Sequence, residues 1–132
     1  MTDDNLNVLV TLAIAAAGRA YCPYSHYPVG AVLRAVDGTL YTGCNVENAS
    51  FPATVCAERT ALVKAVSEGQ RQFDLLVVVT RNAGSPCGVC RQMLYEFAPT
   101  LRVVIADLEG TIHSDTRLDD LLPLGFGAQT FP

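Results

Sequence analysis

A chain of 132 residues, 50% hydrophobic and only 17% charged, can bury a sizeable core, so its composition excludes disorder and predicts one domain spanning residues 1–132. A formal charge of −4, with no run of Lys or Arg, argues against nucleic acid as a partner and favours a small, weakly charged substrate. Asp3 and Asp4 stand where a secretory signal would be basic, and the longest apolar stretch, about Val8 to Ala17, is too short for a bilayer. The expectation is a cytoplasmic protein with no membrane association, in which the five cysteines are reduced or metal-bound.

In chain order, Leu6, Leu9, Val10, Ala13, Ile14 and Ala17 recur at helical spacing, with Asp3 or Asp4 as cap and Gly18 or the Pro23 region as the stop. Residues Tyr21 to Pro28 form a loop with three tyrosines, two prolines and a histidine, either a packed surface loop or a pocket wall. Val29 to Ala35 and Thr39 to Val46 are strand-like and meet across Asp37-Gly38, a strong hairpin signal. Asn45 and Glu47 follow, on one face of the strand, an amide and a carboxylate suited to grasping a hydroxylated ligand. Thr54 to Glu68 reads as a second helix, stopped by Gly69.

Leu75 to Thr80 is a continuous valine-rich run, the pattern of a central buried strand. A Gly84-Ser85-Pro86 turn opens a third helix, Cys87 to Phe97, and Arg102 to Ala106 is another buried strand. Glu109-Gly110 turns into a short strand, Thr111 to Ser114, and then a helical turn, Leu118 to Leu122, capped by Asp115 or Thr116. Pro123 to Pro132 carries Phe126 and Phe131 among glycines, without a regular pattern. This order of elements implies a layered α/β domain whose two late helices cross between neighbouring parallel strands. Both cysteine clusters, Cys56-Ala57-Glu58-Arg59 and Pro86-Cys87-Gly88-Val89-Cys90-Arg91-Gln92, then open helices on the sheet edge where such folds bind ligands.

A helix N-terminus favours thiolates, and three thiolates suit Zn²⁺ with one open position, which Glu58 is close enough to address. A lone C-x-x-C is compatible with a redox pair or half a structural zinc site, Cys56, Cys87 and Cys90 alone leave that open, and Cys22 and Cys44 are available in principle as a fourth ligand. His26 and His113 stand at no motif position and read as a loop and an exposed strand residue.

The whole phrase C-A-E-R followed by P-C-x-x-C-R-Q resembles the zinc deaminase signature. With Pro23 to Gly30, Gly43 to Asn48, Cys56 to Leu62, Ser85 to Gln92 and Leu121 to Pro123, the chain from about Tyr21 to Phe126 is similar to the cytidine deaminases, specifically the small homotetrameric three-cysteine type. The resemblance implies a three-layer α/β/α sandwich around a mixed sheet of about five strands. It implies one Zn²⁺ per subunit on Cys56, Cys87 and Cys90, and hydrolytic deamination of cytidine and 2′-deoxycytidine to uridine and 2′-deoxyuridine plus ammonia, a reaction of pyrimidine salvage.

Glu58 is implied as the proton carrier, Asn45 and Glu47 as the ribose-binding pair, and the backbone at Ala57 and Ser85 as contacts to base and leaving amine. Tyr27 holds the place of an aromatic, more often phenylalanine, against the base; Phe51 stands where tyrosine is common. Phe126 matches a tail aromatic that enters a neighbouring subunit's pocket, hence a homotetramer with shared active sites. Three thiolates leave a zinc site with an excess negative charge, and Arg59, three residues past Cys56, is placed to offset it electrostatically. Arg91 reads equally well as an ordinary salt-bridge partner. Within the enzyme class the alternative is another aminopyrimidine nucleoside, such as blasticidin S; outside it, a structural zinc module.

Overall fold

The computed structural model describes residues 3–131. Helix α1 (Asp3–Ala17) precedes strands β1 (Gly30–Ala35) and β2 (Leu40–Cys44); α2 (Ala57–Ser67), β3 (Phe73–Thr80), α3 (Gly88–Phe97), β4 (Arg102–Asp107), β5 (Ile112–Arg117) and the single turn α4 (Leu118–Leu121) follow. Five strands form one sheet in the order β2-β1-β3-β4-β5. β1 runs antiparallel to both neighbours, with Leu33 opposite Tyr41 on one side and Leu76 on the other. β3 and β4 are parallel, Val77 beside Val104, and β5 closes the far edge antiparallel to β4. The sheet is therefore mixed.

Alternation along the strands divides the core into two layers. Val32, Leu75, Val77, Val79, Val104 and Ala106 face α1, which supplies Leu6, Leu9, Val10, Ala13 and Ala17. Leu33, Leu76, Val78, Val103 and Ile105 face the other way, onto Ala57, Ala61, Leu62 and Ala65 of α2 and Leu94 of α3. This is the three-layer α/β/α arrangement. Two glycines allow the helices to sit against backbone. A Cβ at Gly30 would lie 1.9 Å from the Ala13 carbonyl oxygen, and one at Gly43 would lie 2.4 Å from that of Ala57. Among the described residues no helix is long and apolar enough to cross a membrane.

Several sequence expectations change. Asp3 and Asp4 lie within α1, and their side chains fall outside the described ones. α2 starts at Ala57 rather than Thr54, because Val55 bridges back to Val46 in both directions and Cys56 becomes the N-cap. Of the two crossovers only α3 joins neighbouring strands; α2 passes over β1, which occupies the place between β2 and β3. Neither Asp115 nor Thr116 caps α4: both belong to β5, Asp115 is engaged by Arg102 at 2.6 Å, and Arg117 is the N-cap. The tail is not wholly irregular, since Ala128–Thr130 forms a 3₁₀ turn.

Candidate active site

β2 and β3 are both antiparallel to β1, so their C-terminal ends share one edge of the sheet. From there the chain enters α2 through Cys56 and α3 through Cys87, each the N-cap of its helix with extended φ and ψ. Cys90, in the first turn of α3, is fully buried, and its amide donates to Cys87 Sγ at 3.5 Å. Cys87 Sγ lies 3.4 Å from Cys90 Sγ and 3.8 Å from Cys56 Sγ, and all three sulfurs fall within 4.8 Å of one another. Four ligands around Zn²⁺ at about 2.3 Å would place sulfurs about 3.8 Å apart. The donor set fits zinc in spacing and in softness. Among the described residues no fourth His, Cys, Asp or Glu joins this cluster, which leaves one coordination position for a small molecule.

Glu58 follows Cys56 by two residues, on the first turn of α2, and is 4% exposed. Burial pushes its carboxyl up to about 7, with the Cys56 charge adding to the effect and its own amide opposing it. The thiol of Cys56 is brought down to about 5, first by its bond with Cys90 and then by Arg59, while that same bond drives Cys90 up. Arg59 donates through Nη2 to the Thr54 carbonyl at 2.9 Å and reaches Cys56 Sγ at 3.7 Å; its Nε is buried with no partner among the described residues. The guanidinium thus stands against Cys56, one of the three clustered sulfurs.

A cavity of about 320 Å³ opens above the cluster, with Cys56 and Glu58 on one wall and Tyr27, Asn45, Glu47 and Ser85 on the others. Ala57 is buried at the head of α2. Asn45 and Glu47 lie just beyond β2 rather than in it, in an extended stretch where Val46 bridges both Tyr21 and Val55. Their polar groups hold the aromatic loop. Asn45 donates to the Tyr27 carbonyl and accepts from the Val29 amide, each at 2.9 Å. Glu47 accepts from the Tyr24 amide at 3.0 Å, from the Ser25 amide at 3.1 Å and from the Ser25 hydroxyl. The Ser25 hydroxyl is the main reason its carboxyl lies below the usual range. Of the loop 21–28, Ser25 and Tyr27 line the cavity, so the pocket-wall alternative applies to that part of it.

Cys22 and Cys44 stay apart from the cluster, as do His26 and His113; His113 pairs with Asp107 at 2.7 Å. Phe126 does not reach the cavity of its own chain: it is 56% exposed, with its ring edge-on to Phe131 at 5.4 Å. Phe51 is likewise exposed, edge-on to Tyr24. Arg91 is no salt-bridge partner among the described residues. It donates to the Pro86 carbonyl at 2.7 Å, the Leu121 carbonyl at 2.7 Å and the Ser85 hydroxyl at 2.8 Å, tying the ligand loop to α4. Its neighbour Cys90 was the only sequence signal for that role. Ser25 and Thr80 also line the cavity; Ser25 lies in the aromatic loop and in the Pro23 to Gly30 motif without an assigned role, and Thr80 reads in the sequence only as the end of a buried strand.

A family model described as "Cytidine and deoxycytidylate deaminase zinc-binding region" matches residues 3–107. A cytidine deaminase of Sporosarcina psychrophila is 47% identical over 124 residues, covering 92% of this chain and 90% of that protein. A cytidine deaminase of Mycobacterium tuberculosis is 37% identical over 134 residues, covering 100% of this chain and 97% of that protein. Among solved structures, the 1.6 Å crystal structure of cytidine deaminase from Burkholderia pseudomallei superposes with a TM-score of 0.87 at 44% identity, covering 96% of this chain and 100% of that one.

Proposed function

Because this chain belongs to the cytidine deaminase family, we propose that it hydrolyses cytidine and 2′-deoxycytidine to uridine and 2′-deoxyuridine with release of ammonia. The observation that carries the reading is a cluster of three cysteine sulfurs that borders, through Cys56 and beside the buried Glu58, one cavity large enough for a nucleoside. Cys56, Cys87 and Cys90 would hold one zinc ion per subunit. When bound there, zinc supplies the Lewis acidity that makes a water molecule nucleophilic near neutral pH.

The remaining chemistry belongs to the chain's own residues. Glu58 takes one proton from the water whose oxygen adds to C4 and passes it to ring N3. It then takes the second proton from the resulting C4 hydroxyl and passes it to the amine, so that the C4–N bond breaks, the carbonyl forms and ammonia leaves. A carboxyl held near neutrality by burial is suited to accepting and returning a proton within one turnover. Arg59 offsets the charge of the thiolates electrostatically, through its approach to Cys56 Sγ. Tyr27 faces the base; the backbone at Ala57 and the Ser85 region serve the base and the leaving amine. Asn45 and Glu47 grasp the ribose while keeping the loop closed, a double duty consistent with their present partners.

The assembly is a homotetramer with shared sites, acting in the cytoplasm in pyrimidine salvage. Exposure of Phe126, Phe131 and Leu124 on the tail supports the association, and light scattering checks it. A negative charge without a basic run supports a free nucleoside over nucleic acid. The test is to mix purified protein with cytidine and follow ammonia and the ultraviolet change on forming uridine, with Glu58→Gln alongside. Turnover by the parent and its loss in a folded, zinc-loaded variant is the expected result. Zinc without turnover or nucleoside binding would favour a structural metal site instead.

A further inference from the structure

The structure assigns a positioning role to Asn82, outside the catalytic groups: through the Tyr27 phenol it locks the pocket wall to the loop that carries Ser85 and Cys87. This inference rests on the nucleoside deaminase reading of the cavity and concerns how its base-facing wall is held.

Tyr27 belongs to the loop before β1, and Asn82 to the loop after β3, 55 residues later. The Tyr27 hydroxyl donates to Asn82 Oδ1. The same oxygen accepts from the Thr80 hydroxyl at 3.4 Å, and Thr80 Oγ1 accepts from the Gly84 amide at 2.7 Å. One chain of hydrogen bonds thus runs from the pocket ring, through the end of β3, into the backbone just before Ser85. A second contact holds the ring from its face. The Arg81 guanidinium carbon sits 4.8 Å from the Tyr27 ring centroid, and Arg81 donates to the His26 carbonyl at 2.9 Å.

Two further features show that both loops are shaped around this link. His26 and Ala83 have φ of 55° and 56°, a region that non-glycine residues enter only when their surroundings hold them there. A Cβ at Gly84 would lie 2.9 Å from the Tyr27 hydroxyl, so the loop keeps a glycine where the phenol passes. The phenol's proton is therefore given to protein. The hydroxyl that distinguishes this ring from phenylalanine serves to fix the ring's position, with no proton left to donate to substrate. A ring fixed in advance leaves less motion to be lost on binding, which acts on affinity more than on the proton transfers at Glu58.

The experiment is a double-mutant cycle on the zinc-loaded enzyme, with Tyr27→Phe, Asn82→Ala, the pair together, and Asn82→Asp, measuring kcat, KM for cytidine, zinc content and Tm. The expected result is that each single change raises KM about 3–10-fold, the size of one neutral hydrogen bond, with kcat within about twofold. The double variant should be no worse than either single one, and Asn82→Asp, which keeps an acceptor for the phenol, should restore KM. Additive effects, or a KM rise in Tyr27→Phe without one in Asn82→Ala, would overturn the proposal, the latter pointing to a phenol that contacts substrate. A fall in Tm with kcat and KM changing together and no rescue by aspartate would reduce Asn82 to a fold residue and overturn it equally. Failure of the parent to deaminate cytidine would instead overturn the reading on which it rests.

Discussion

Replacing Gly43 by alanine tests whether the seat of α2 on β2 sets the position of the catalytic side chains. A Cβ at residue 43 would lie 2.4 Å from the Ala57 carbonyl oxygen, 2.7 Å from the Ala61 amide nitrogen and 3.1 Å from Thr60 Cβ. Ordinary contact begins at 3.4 Å, so the first turn of α2 has to withdraw by about 1 Å. None of these atoms is the free end of a flexible side chain, and no rotamer change relieves the clash.

Overpacking of this kind costs about 1–3 kcal/mol, or roughly 3–10 °C in Tm for a domain of this size. The functional effect should be larger. Cys56 and Glu58 ride on the displaced turn while Cys87 and Cys90 ride on α3, and a misplacement of about 1 Å at a reacting centre costs on the order of 100-fold in rate. The expected result is a fall of about 100-fold in kcat/KM for cytidine, with weaker zinc retention. Gly38→Ala is the control: at φ 94° in the β1–β2 turn it is strained but touches nothing within 4 Å, so stability falls and activity stays. The reasoning fails if Gly43→Ala keeps both Tm and kcat/KM, or if Gly38→Ala loses as much activity.

Glu58→Gln should lower kcat by about 10²–10⁴-fold with zinc still stoichiometric by metal analysis, since general acid–base catalysis contributes on that order. Cys87→Ala removes the thiol shared by the 3.4 Å and 3.8 Å contacts; zinc content should drop well below one per chain, and a chelator should lower Tm in the parent more than in the variant. Cys22→Ala and Cys44→Ala, which leave the metal cluster intact, should keep full zinc content and kcat, and loss of either would make that residue a ligand. Arg91→Ala removes three charge-assisted hydrogen bonds that α3 donates, two to the Ser85-Pro86 turn and one to Leu121 of α4. Unfolding should be easier by about 1.5–3 kcal/mol, and unchanged denaturant midpoints would show that the tether is dispensable.

Much of this protein is legible in the order of its residues, because the signals are local. Periodic apolar residues mark α1, Asp37-Gly38 marks the hairpin, and the valine run marks β3, each through a preference that its own neighbours satisfy. The chemistry of the metal cluster is legible too, since a thiol at the head of a helix means the same thing wherever that helix goes. Packing decided the rest. β1 comes to lie between β2 and β3, so α2 crosses over it, and no local pattern specifies which strand takes the middle place. Asn45 and Glu47 spend hydrogen bonds on the aromatic loop, Arg91 reaches Leu121, and Tyr27 turns its hydroxyl to Asn82. These partners are 16 to 55 residues apart, and side chains so distant in the chain meet only where layered helices and strands bring their loops to the same sheet edge. Residue type and local spacing determined which groups this chain has to work with, and the closure of the three layers determined which of them touch.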